Sequence, residues 1–286
     1  MGFNRLDAKL QAKGSMRSAY PHPMLITLVY FLATTVLVGV IQFVVNNPFN
    51  NLYTYLMQGY SVDEVYSYYY TLMAGGRGAL FVFMGILMSL YSAVMGFSYT
   101  SYALRLARNE QPGYRTLLDG FAMAGRVLGM IILQGVFVFL WTLLGMLPFV
   151  VLIVVAAVTD SGLLIALAML CYFAALIWVI TVAYRYRLSA YFLLDDPACG
   201  ALESITRSKQ AMRGRKMDLF VLDLSFVGWE ILSIFTLGIL DLWLLPYKGA
   251  TEANFYDWAT GGLNAPLQTG PAEQPPLDGG SGPAPF

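Results

Sequence analysis

Long apolar runs without charge constrain this chain more than any other feature. Met24 to Val45 holds no charged side chain, and neither does Val127 to Val158. A helix rises about 1.5 Å per residue, so roughly 20 apolar residues cross a bilayer core about 30 Å thick. Composition agrees: 58% of residues are hydrophobic and 12% charged, with mean hydropathy +0.61. A soluble domain carries about a quarter charged residues, so both a soluble fold and a disordered chain are excluded. A cleaved signal peptide would end its apolar core after about 7–15 residues at a small-residue site. Here the run is longer, follows a polar segment, and ends in Asn46, Asn47 and Pro48, which reads as a retained first span.

Further spans are expected over about Gly78 to Leu104, Val127 to Val158, and Leu163 to Tyr184 or on to Leu194. The Val127 run overshoots the bilayer if straight, and Pro148 removes a backbone donor inside it, so a kink near Gly145–Leu147 is expected. Leu219 to Phe235 and Ile239 to Trp258 are expected as a fifth and sixth span, joined at Thr236, Leu237 and Gly238. A helix lying at the interface is the alternative for the sixth. The expected fold is therefore an all-α polytopic transmembrane helical bundle of about six spans, the third kinked at Pro148.

Basic residues set the orientation. Residues 1–23, the connection after span two, and the connection after span four hold all but Arg77 and Lys248 of the 17 basic residues. Six spans place all three segments, and both termini, on the cytoplasmic side of a bacterial cytoplasmic membrane. The membrane helical domain then covers 24–258, and the Gly-, Pro- and Ala-rich stretch 261–286 is expected as a disordered tail. Segment 46–77 is expected outside. It carries seven tyrosines (Tyr53, Tyr55, Tyr60, Tyr66, Tyr68, Tyr69 and Tyr70), and Ser61 with Glu64 has capping-box spacing for a helix beginning at Val62. Tyrosine anchoring at the headgroups is the plain reading; an aromatic platform for a ligand is the sharper one.

After span four, Asp195, Asp196 and Pro197 suggest a helix start. The following segment, to Lys216, would turn Leu202, Ile205 and Met212 to one face. Glu203 and Arg207 can pair at i,i+4. Arg207, Lys209, Arg213, Arg215 and Lys216 are expected to contact anionic lipids of the cytoplasmic leaflet. A membrane or cytoplasmic protein partner suits the same residues. Nucleic acid does not, since the 17 basic and 17 acidic residues cancel and no reading module is present.

Ionisable residues in a span cost about 2.5–3.5 kcal/mol each on insertion scales and so face protein or water. Asp223, Glu230, Asp241, Lys248 and Glu252 form a candidate intramembrane polar site. In a hairpin turning at Thr236–Gly238, residues whose numbers sum to about 475 lie at equal depth. That brings Glu230 within reach of Lys248 and Asp223 towards Glu252. A structural pair holding the two helices in register and an ion- or proton-linked transport site both fit. No phosphate-binding glycine loop, HExxH or GxSxG occurs. His22 stands alone at the start of span one and reads as interfacial; Cys171 and Cys199 lack metal-ligand neighbours. No cofactor or metal is expected, and no catalytic residue.

Several short motifs occur together: Ala201-Leu202-Glu203-Ser204-Ile205 with Ser208 and Gly214, Leu224-Ser225-Phe226 with Gly228-Trp229, Leu237-Gly238, Trp243, Pro246-Tyr247 and Phe255-Tyr256. Upstream stand Leu118, Gly120-Phe121, Leu140-Trp141 and Leu147-Pro148. Across about Gly78 to Tyr256 the chain thereby resembles a bacterial membrane family, domain of unknown function 975. The resemblance implies several membrane helices and carries over no activity or site residue. The expectation is a non-enzymatic scaffold, accessory or small-molecule- or lipid-binding membrane component, with an ion- or proton-linked transporter or export-linked permease using the charged pair of the last two spans as the alternative.

Overall fold

The computed structural model describes residues 2–45, 55, 57–74 and 76–261. Among them the only regular structure is helical. Helix α1 (Arg5–Ser18) starts where the Asn4 side chain accepts from the backbone N–H groups of Leu6 and Asp7. Helix α2 (Pro23–Phe31) has His22 as its cap and proline in its first turn, and passes through a π-helical stretch, Leu32–Val36, into α3 (Leu37–Val45). Helix α4 (Val62–Ala74) begins at the Ser61–Glu64 box: the Ser61 N–H donates to Glu64 Oε2 at 2.8 Å and the Glu64 N–H to Ser61 Oγ at 3.3 Å. The expected external tyrosine segment before Tyr55, its residues Leu56 and Gly75, and the expected tail beyond Gly261 lie outside the described residues.

The longest helices follow. Helix α5 is Gly76–Ala107; a 3-10 turn (Tyr114–Leu118) and α6 (Asp119–Ala122) lead to α7 (Ala124–Thr159) and α8 (Gly162–Tyr186). Then come α9 (Ser189–Asp195), α10 (Ala201–Ala211), α11 (Lys216–Leu224), α12 (Val227–Phe235) and α13 (Asp241–Ala259). Four segments are long and apolar enough to cross a membrane: Pro23–Phe43, Gly78–Ala107, Ala124–Thr159 and Gly162–Asp195. Helix α7 is assigned as one helix through Pro148.

The structure differs from expectation after Asp195. Residues 196–199 form a turn in which the Asp196 carboxylate accepts from the Ala198 N–H at 2.9 Å, and the next helix starts at Ala201 behind Gly200, not at Pro197. Leu202 points outward, whereas Ser204, Ile205, Ser208 and Met212 are buried. The helix thus turns its inner face to protein. The expected fifth span is two helices, parted at Ser225–Phe226, where Ser225 Oγ and N–H both turn back to the Leu222 carbonyl. Each piece has nine residues, about 13 Å of rise, less than half a bilayer core.

Burial concentrates at one end of the long helices, the end that carries Arg105, Arg108, Arg126, Arg185 and Arg187. One cluster joins Ala12 of α1, Ile26 of α2, Tyr102 and Leu106 of α5, and Ala250 of α13. A second joins Val94 and Phe97 of α5, Val127 and Met130 of α7, Val182 of α8 and Ile205 of α10. A third gathers Leu188, Met212, Leu219, Phe226 and Tyr256. Two glycines set close approaches. A Cβ on Gly120 would lie 2.5 Å from Ser98 Oγ, and one on Gly249 would lie 2.9 Å from the Ala103 Cβ. Towards the opposite end the apolar side chains are exposed, as in Val136, Phe139, Leu143, Leu147, Val150 and Val154 of α7. Their three- and four-residue spacing makes a stripe along one face.

Candidate functional site

Helix α13 carries most of the polar residues singled out in the sequence, and it lies among α1, α2, α5 and α12. Lys248 Nζ donates to Glu230 Oε1 at 2.6 Å. Ring contacts place Trp229 beside Trp243 and Phe226 beside Tyr247, so α12 and α13 pair antiparallel around the Leu237–Gly238 turn. That turn needs backbone in the left-handed region at both residues, with φ of 52° and 82°. Beside it an open cleft of about 280 Å³ is lined by Glu230, Ser233, Ile234, Leu237, Gly238 and Asp241. The Ser233 hydroxyl is buried there without a hydrogen-bond partner among the described residues. Asp241, in the first turn of α13, complements the positive end of that helix.

Asp223 and Glu252 are held elsewhere, by α8. Tyr184 donates to Asp223 Oδ2 at 2.8 Å, and Arg187 grips Glu252 through Nε at 2.7 Å and a second guanidinium nitrogen at 3.2 Å. The five candidate residues thus fall into two groups: Glu230, Lys248 and Asp241 near the hairpin turn, and Asp223 and Glu252 near the basic end.

The tightest polar cluster was not singled out in the sequence. Arg108, just past α5, donates to both oxygens of Asp195 at 2.6 and 2.9 Å and to Asp257 at 2.7 and 3.4 Å. Tyr256 donates to Asp195 at 2.9 Å and stacks on Tyr191 with centroids 5.0 Å apart. Side-chain exposure is only 14% for Arg108 and Asp195 and 17% for Asp257. Burial disfavours the charged guanidinium, but the two carboxylates outweigh it and raise the Arg108 pKa. No local sequence signal pointed to this cluster, because its members come from three distant parts of the chain.

The expected membrane-surface basic residues are largely engaged within the protein. Arg207 pairs with Glu203 and with Asp196, Lys209 Nζ sits 5.8 Å from the Phe137 ring, and Arg215 donates to the Ala211 and Ala259 carbonyls beside Trp258. Burial and the Arg185 charge lower the Lys216 pKa. Arg213 follows α10 on the exposed surface. Among the described residues no three His, Cys, Asp or Glu side chains converge as a metal site. The Asp195 carboxylate accepts from Arg108 and Tyr256, and the Asp257 carboxylate from Arg108. Such an arrangement holds helices together.

A family model described as "Protein of unknown function (DUF975)" matches residues 1–261. No curated protein and no solved structure matches.

Proposed function

The chain belongs to this DUF975 family of unknown function, and from that premise we propose that it is an integral protein of the bacterial cytoplasmic membrane with both termini in the cytoplasm. We propose that it serves as a non-enzymatic scaffold, accessory or lipid-binding component, whose contact region is the basic end. The one-ended core carries this reading. Buried side chains and the Arg108 cluster gather where the basic segments lie, while α7 and its neighbours present apolar stripes to the surroundings.

Four crossings and a hairpin that enters without crossing fit the helix lengths better than six crossings. Gly249 lies against Ala103, and Asp257 pairs with Arg108, so α13 runs parallel to α5. By that register Asp241 stands level with about Met95, roughly 18 Å from the end of α5 and near mid-bilayer. Four and six crossings both return the C-terminus to the cytoplasm. A bend at Pro148 would fit the 36 residues of α7 into one crossing. Mild-detergent purification of the full chain from its membrane tests the function. A stoichiometric copurifying protein or retained lipid supports it; turnover or solute flux by the protein alone overturns it.

An ion- or proton-linked transporter is the second reading, favoured by the cleft where the Ser233 hydroxyl, without a partner among the described residues, lies beside Glu230 and Asp241. Cation flux in proteoliposomes that is abolished by Asp241→Asn would establish it.

A further inference from the structure

A second cleft, of about 270 Å³, opens between α1 and the start of α2 and is lined by Lys13, Met16, Arg17, His22, Met24 and Trp243. Lys13 and Arg17 are one helical turn apart on α1, both are exposed, and neither has an ion-pair partner among the described residues. The neighbouring Lys9 differs, since it is committed to the Ser225 carbonyl at 3.5 Å and to the Phe226 ring. His22 accepts the Met24 N–H at Nδ1, which puts the proton of a neutral ring on Nε2 and leaves that N–H as a donor. No carboxylate lines the cleft.

We propose that this cleft seats one anionic phospholipid of the cytoplasmic leaflet, with its phosphate between Lys13, Arg17 and His22. Two cations and an N–H donor at one mouth match a phosphate. The Met16, Met24 and Trp243 side chains match the glycerol and first acyl carbons, from which a free phosphate would gain nothing. The cleft lies where the first candidate span begins, at Pro23, so a lipid there keeps its tail along α2. The proposal rests on the membrane reading above and names the lipid for it.

Native mass spectrometry of the full chain, released from nanodiscs of phosphatidylcholine doped with phosphatidylglycerol, tests it. The wild type retains phosphatidylglycerol over phosphatidylcholine. Lys13→Gln with Arg17→Gln lowers that retention about 10- to 30-fold. Lys13→Arg keeps it, and so does Arg115→Gln, which removes an exposed positive charge that does not line the cleft. Equal retention by the Lys13–Arg17 double variant, no preference over phosphatidylcholine, or displacement by inorganic phosphate alone overturns the site. Carbonate extraction of the native membranes reads the underlying assumption separately: release of the chain refutes the membrane reading, whereas retention without lipid selectivity refutes only this site.

Discussion

At the scale of single residues, Arg108 ties together Asp195 and Asp257 from distant parts of the chain. Removing it leaves Asp195 and Asp257 facing each other with little solvent, and breaking such a pair costs about 3–5 kcal/mol. Arg108→Met should sharply lower the thermal midpoint in detergent. Arg108→Lys should recover only part, because a lysine cannot fork across two carboxylates. Glu230→Gln and Lys248→Met should each reduce folded protein in membranes, and the double change should restore much of it. Normal folding of both single variants with lost flux would favour the transport reading. Asp196 gives a pH prediction. Backbone donation from Ala198, assisted by Arg207, holds its carboxyl below the ordinary range against the opposing effect of burial. Its stabilising effect is therefore full above the unfolded value of about 4 and lost as pH falls through the lower folded value. The Tm gap between wild type and Asp196→Asn should be open at neutral pH and close in acid. The Glu230–Lys248 contact was legible because two helices joined by a short turn must pair antiparallel. The Arg108 cluster was not, since its partners lie 87 and 149 residues away and no local pattern links them.

At the scale of elements, length and charge-free composition were enough to read the four long helices. The finer breaks were not readable. Leu219 to Phe235 is apolar apart from Asp223, Glu230 and a few small polar residues, and it divides where Ser225 bonds back to Leu222 and the Phe226 N–H to the Asp223 carbonyl. Asp195-Asp196-Pro197 resembled a cap, yet Asp196 spends its carboxylate on the turn that precedes α10. Leu202 had the right spacing for the inner face of α10, but Ser204 and Ser208 are the buried neighbours of Ile205. Ser208 in fact joins α10 to α8: its hydroxyl donates to the Arg185 carbonyl at 2.9 Å and accepts from the Leu188 N–H at 3.2 Å. Small polar residues at a helix contact replace apolar ones, which hides the period. The glycine contacts belong to this scale too. Gly120→Ala should destabilise by about 1–3 kcal/mol as overpacking against Ser98 and the Val94 carbonyl, read as a lower unfolding midpoint at unchanged secondary structure.

At the scale of the whole molecule, topology is the testable quantity. With Cys171 and Cys199 replaced, a cysteine at Asn109 or Arg213 should react with an impermeant thiol reagent only from the cytoplasmic face. One at Asp160 should react only from outside. A cysteine at Leu237, which is 91% exposed in the isolated chain, should react from neither side if the hairpin ends within the bilayer; external labelling would restore six crossings. Charge grouped the basic segments in the sequence, and the structure gathers Arg105, Arg126 and Arg185 at one end of the long helices; the one-ended core was not readable, because it depends on which helices meet. That core has a consequence for how the protein is made. Helix α13 is the last described helix, yet it packs against α1, α2 and α5, among the first to leave the ribosome. At roughly 5–20 residues per second, the early helices would wait on the order of ten seconds or more for the segment that covers Ile26 and Tyr102. A nascent chain halted before Asp241 would leave that seam uncovered, with Ile26 and Tyr102 lacking the helix that buries them.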